Sequence, residues 1–202
     1  MDAHKLQLKI YLTPESAQTL DVEALVPVLH RWIKQRALPE LMIDVANYRH
    51  VPNGPGVVLI GHGADYFLDE GEGRPGLLHN RKRAGLLPAE RLGDLARRTL
   101  YAASLLEKDL ALTGKIKFAT NELLFRVNDR LAAPSTDATF AALRPELESL
   151  AKTLFAGPFE LARVGGAKEL FGVRIKSPAS PPLATLLERA GGPPVADASL
   201  VV

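Results

Sequence analysis

The amino-acid sequence predicts an α+β protein: mostly antiparallel sheet, three main helices, and two pseudo-symmetric β-α-β-β halves bridged by a long central helix. Three observations predict it. Short runs of alternating or β-branched residues are bounded by Gly and Pro, which is the signature of strands joined by turns. Three longer segments place apolar residues at helical spacing. The order strand, helix, strand, hairpin occurs twice, once near each end of the chain.

The first strand is the clearest. Leu6, Leu8, Ile10 and Leu12 alternate with Gln7, Lys9 and Tyr11, a pattern expected of a strand with one buried face. Thr13-Pro14-Glu15-Ser16 reads as a turn. Asp21 is placed to cap a helix whose face carries Leu25, Val26, Leu29, Trp32 and Ile33, with Pro27 near its start and Pro39 after its end. Leu41 to Tyr48 is a second strand.

Residues 53–83, NGPGVVLIGHGADYFLDEGEGRPGLLHNRKR, hold the densest turn signals and read as a β-meander. Its strands are Val57 to Ile60, Tyr66 to Asp69 and Leu77 to Lys82. The Asp69-Glu70-Gly71-Glu72 corner is expected to point into water, and His79, on the same face as Leu77, to be structural. Pro88-Ala89-Glu90 opens the longest helix, to about Leu112, with Leu92, Leu95, Ala96, Thr99, Ala103, Leu106 and Leu110 as its stripe. One long strand or two short ones follow within residues 115–130, where Arg126, Asn128, Asp129 and Arg130 surround Val127 as a ligand holder or a charged edge. Thr136 or Asp137 caps a helix through Phe155, and Phe159 to Val164 with Leu170 to Lys176 form a closing hairpin.

The domain reading is a single α+β unit over residues 1–177, with the duplicated halves at about 1–62 and 115–177. Ala24-Leu25-Val26-Pro27 and Ala142-Leu143-Arg144-Pro145 stand 118 residues apart, and the first strand matches Leu123, Phe125 and Val127 at an offset of 117. Residues 178–202 are rich in Pro, Ala and Gly and are expected to be a disordered tail or a docking segment, with one short helix from Leu183 to Ala190.

Composition narrows the function. The 202 residues are 47% hydrophobic, enough for a core without staples, and contain no cysteine. That excludes disulfides, thiolate metal sites and a cysteine nucleophile. A net charge of +2, from 25 basic and 23 acidic residues, gives no bulk field for nucleic acid or an anionic membrane. No apolar run reaches the ~18 residues of a membrane span. The first residues mix charge with apolar groups unlike a leader peptide, so a cytoplasmic location is the expectation.

Two constellations have chemical potential. Arg81, Lys82 and Arg83, with Arg74 and Arg91, form a basic set next to the start of the long helix, and guanidinium forks suit phosphate or carboxylate. His50, His62, Asp65 and Asp69 offer imidazole and carboxylate for a divalent metal, although no HExxH or helical His pair is present. Glycine-rich phosphate loops and a Gly-x-Ser-x-Gly elbow lack the necessary context. The sequence therefore reads as a non-catalytic, cofactor-free binding protein for a protein partner or a small anionic ligand. A metal-dependent enzyme built on the His/Asp set is the alternative, a structural subunit a second one, and self-association into a homo-oligomer stays open.

Overall fold

The computed structural model describes residues 3, 5–51, 54–83 and 86–195. Eight strands run as β1 (Leu6–Leu12), β2 (Met42–Asn47), β3 (Val57–Gly61), β4 (Ala64–Asp69), β5 (Gly76–Arg81), β6 (Phe118–Val127), β7 (Glu160–Val164) and β8 (Phe171–Lys176). They form one sheet in the order β2-β3-β4-β5-β1-β6-β8-β7, and every pairing is antiparallel. The helices are α1 (Pro14–Thr19), α2 (Leu25–Gln35), α3 (Arg91–Lys108), α4 (Asp137–Phe155) and α5 (Leu183–Arg189). The α+β class is as the sequence predicts, and no helix among the described residues is long and apolar enough to cross a membrane.

Alternation along the strands assigns the two faces. Leu6, Leu8, Ile10 and Leu12 of β1, Leu77 of β5, and Leu123, Phe125 and Val127 of β6 join one core with the apolar stripes of α2, α3, α4 and α5. Tyr11, Val58, Leu78 and Leu124 are also buried, yet they stand outside that core. They belong to the opposite face, away from the α-helices that join the core. β1 is buried along its whole length, so the expected one-sided strand is in fact two-sided. It lies in the middle of the sheet, and a charged layer roofs its second face.

The central pair has a self-complementary register. Leu8 faces Phe125, flanked by Leu6 against Val127 and Ile10 against Leu123; of the residues matched at an offset of 117 in the sequence, only Leu8 and Phe125 face each other, and the outer two are exchanged by the antiparallel pairing. Beyond this pair the two sides of the sheet differ, because β4 and β5 stand between β3 and β1. The strand beside β1 is β5, matching β8 beside β6, so β4–β5 and not the strands within residues 1–62 occupies the place of β7–β8. The two prolines of the Ala-Leu-x-Pro match also differ: Pro27 is in the first turn of α2, and Pro145 is in the middle of α4.

Helix ends follow local chemistry. Thr13 caps α1 through Ser16 N–H, so the expected turn there is a helix start. Asp21 caps a single 3₁₀ turn that leads into α2. Thr136 caps α4, accepting from Thr139 N–H at 3.2 Å. α3 stops at Lys108 because Asp109 is extended and caps a separate turn at Leu110–Leu112. Leu110 therefore leaves the apolar stripe and is 91% exposed.

The Pro-rich segment is ordered through residue 195, against the expectation of disorder. Leu183, Leu186 and Leu187 of α5 are buried in the common core. Arg189 donates to the carbonyls of Leu154 (2.9 Å) and Phe155 (3.2 Å) at the C-terminus of α4. Arg97 holds the following turn through Gly192 and Pro193 O. The segment docks, but onto its own domain; residues 196–202 lie outside the described residues.

Candidate functional site

The opposite sheet face is organised around Lys9. Its side chain is 0% exposed, although it sits on the face away from the helices. The corner after β4 folds back over it. There Glu72 and Gly73 adopt left-handed backbone angles, φ 65° and 64°, and the carboxylate of Asp69 and carbonyl of Gly71 accept from Lys9 Nζ at 2.6 and 3.1 Å. Burial pulls the Lys9 pKa down, and Asp69 opposes that shift. The expectation that this corner points into water is therefore corrected for Asp69, which turns inward because a central-strand lysine has to be neutralised; Glu70 and Glu72 are exposed, as expected.

A second layer of charge extends from there. Glu72 accepts from Tyr11 Oη at 3.4 Å and from the Arg126 guanidinium. Burial, with Glu72 second, pushes the Tyr11 hydroxyl up to about 12. The Arg74 guanidinium stacks 3.8 Å from the Tyr11 ring centre and donates to Glu122 at 2.6 Å. Arg174 Nε lies 3.2 Å from the same Glu122 oxygen, but its N–H is misaligned and buried without an acceptor. Register explains the convergence: Arg126 of β6 faces Gly172 of β8, and Leu124 faces Arg174.

Glu72, Arg74, Arg126 and Arg174 wall a cavity of about 470 Å³, with Glu169 and the apolar Val164 and Leu170 completing it. Gly172 keeps its floor open. A Cβ there would lie 3.0 Å from Val164 Cγ2 and 3.5 Å from Arg126 Cγ.

On the helix side, a different polar cluster is sealed. Glu40 Oε1 accepts from Tyr66 Oη at 2.6 Å and lies 3.3 Å from Arg98 and 3.8 Å from His79 Nε2. His79 stacks on Tyr66 at 4.5 Å, and its Nδ1 meets Thr99 Oγ1 at 3.2 Å. Since the Thr99 hydroxyl donates to Leu95 O, it accepts from His79 Nδ1–H. That leaves His79 Nε2 as a buried acceptor with no hydrogen-bond partner. Burial lowers the His79 pKa to about 3 and raises that of Glu40, moving both toward uncharged forms. The cluster is buried: Tyr66 and His79 are each 1% exposed and Glu40 7%. His79 is structural, as read from the sequence.

The five basic residues singled out in the sequence do not form one site. Only Arg74 lines the cavity. Arg81 reaches Asp94 on α3 at 2.7 Å, on the helix side. Lys82 turns to Asp65 (2.7 Å) and Gly61 O (2.6 Å) on the other side. Arg91 is buried and ties Leu86 O and Ala3 O. Arg83 is exposed, and its carbonyl accepts from Arg81. The residues of the metal reading are also dispersed. His50 and His62 are exposed, while Asp65 and Asp69 are engaged by Lys82 and Lys9. No group of three or more His, Asp or Glu among the described residues is arranged to hold a metal.

Arg126 lies in the segment flagged as ligand holder or edge; β6 is central, which removes the edge reading. Arg174, Glu122 and Lys9 were not legible, because each looks like an ordinary outward polar position in an alternating strand. Compared with known proteins, the chain matches no family model, no curated protein and no solved structure.

Proposed function

We propose that this protein is a non-catalytic binding protein that takes an anionic ligand in the arginine-walled cavity of the sheet face away from the α-helices. One observation carries the reading: three guanidiniums, those of Arg74, Arg126 and Arg174, line one cavity. Guanidiniums brought together from three separate elements provide planar donor forks. The cavity size is within the ordinary range for small-molecule sites.

Calorimetric titration with hexanoate and hexyl phosphate at low salt tests this. At least one anion binds, and Arg174→Ala weakens it about tenfold or more, the loss of one charge-assisted hydrogen bond. Arg83→Ala leaves affinity unchanged, because Arg83 is remote from the cavity. If neither anion binds, or if Arg174→Ala is silent, the reading falls.

A further inference from the structure

The cavity is rich in donors but balanced in charge. Its lining carries Arg74, Arg126 and Arg174 against Glu72 and Glu169; Glu122, paired with Arg74 and Arg174, brings the count to three against three, and the buried Lys9–Asp69 pair adds no net charge. Each guanidinium carries five N–H groups. Arg74 and Arg126 each donate one hydrogen bond to a carboxylate, at Glu122 and Glu72, and Arg174 Nε has no acceptor. The site therefore offers more N–H donors than its own carboxylates take up. A second feature is the wall of Val164 and Leu170, which favours an apolar body beside the charged head.

We infer that the ligand is a monocarboxylate with an apolar body, its carboxylate accepting from Arg174 and Arg126 and its body lying against Val164 and Leu170. This rests on the anion-binding reading above and deepens it. One added negative charge is all that a balanced site tolerates at modest cost. A dianionic phosphate ester brings two charges into a partly buried setting where each uncompensated one is expensive. A carboxylate also has the two in-plane oxygens that match a guanidinium fork. The same chemistry is offered by a free organic acid and by the C-terminus of a peptide.

The test holds the body constant and varies the head. Hexanoate, hexyl phosphate at a pH where it is a dianion, and hexanol are titrated into the full-length protein. Hexanoate is expected to bind at least tenfold tighter than either of the others. Glu122→Gln removes one of the balancing charges, so hexyl phosphate should gain at least tenfold and the preference should narrow. Glu72→Gln, at a more open position, repeats the test should the first variant fold poorly. A short peptide with a free Leu C-terminus, run against its amide, identifies the source: an acid-dependent gain over hexanoate assigns a chain terminus, and its absence a free acid. If hexyl phosphate binds the wild-type protein as well as hexanoate, or hexanol does, the inference is overturned while anion or apolar binding stands. If none binds, the anion-binding reading itself fails.

Discussion

Replacing His79 by glutamine isolates the proton chemistry of the sealed cluster. The ring is 1% exposed, with Tyr66 stacked on it, Thr99 at Nδ1, and Glu40, Arg98, Asp94 and Arg81 around it. Burial is the leading cause that lowers its pKa from 6.5 to about 3. The sign follows from proton binding. On acidification the unfolded chain takes up this proton first, so the contribution of His79 is complete above about pH 6.5. It declines as pH falls and is gone near pH 3. The full span is worth about 5 kcal/mol, or about 1.4 kcal/mol per pH unit. Glu40 runs in the opposite direction: its raised pKa gives stability that is complete below the ordinary value of 4.5 and lost as pH rises. It is present in both proteins, so the difference between them reports His79. Urea unfolding of wild type and His79→Gln, from about pH 7 down to about pH 4, should show the wild type losing about 1.4 kcal/mol per unit more than the variant. Parallel profiles, or an imidazole titrating near 6.5 by NMR, would refute the reasoning.

Three further single substitutions and one double variant probe the packing that holds the cavity in place. Leu186→Ala should cost about 2–4 kcal/mol in chemical denaturation, since Leu186 is fully buried in the shared core; a neutral result would detach α5 from the domain. Gly76→Ala would set a Cβ 2.5 Å from Ile10 O and 2.9 Å from Tyr11 Cα. Neither backbone atom can yield, so a loss of at least about 2 kcal/mol is expected, and an unchanged melting temperature would contradict the β1–β5 pairing. Lys9→Met leaves Asp69 without its cation and should cost about 2–3 kcal/mol, less than for a fully buried pair because Asp69 retains some solvent contact. Adding Asp69→Asn should restore part of that loss, whereas strictly additive effects would deny the coupling.

The sequence disclosed the sheet more readily than the site, for a physical reason. Alternation in Leu6 to Leu12 reports which side chains share a face, and apolar spacing in α3 and α4 reports a helix stripe. Both are local properties, and both were legible. Whether the second face of a strand is covered depends on neighbours distant in sequence. Lys9 therefore read as a solvated position, although the corner at residues 69–73 closes over it. Glu122 and Arg174 are 52 residues apart and meet only because β6 and β8 pair in one particular register. The basic run at Arg81-Lys82-Arg83 drew attention through density alone, and strand alternation sends its members to opposite sides. Arg74 and Arg126 were visible beforehand, but nothing local showed that they face each other across Tyr11 and Glu72. The tail misled for a related reason. Its Pro and Gly content resembles a disordered segment, while three leucines at helical spacing suffice to anchor it.

Side-chain NMR of the arginine Nε–Hε groups, followed while hexanoate is added, examines the cavity most directly. The account predicts that the Arg174 and Arg126 resonances shift in a saturable manner while those of Arg83 and Arg97 remain still. Unmoved Arg174 and Arg126 resonances at saturating hexanoate, or shifts confined to other arginines, would contradict it.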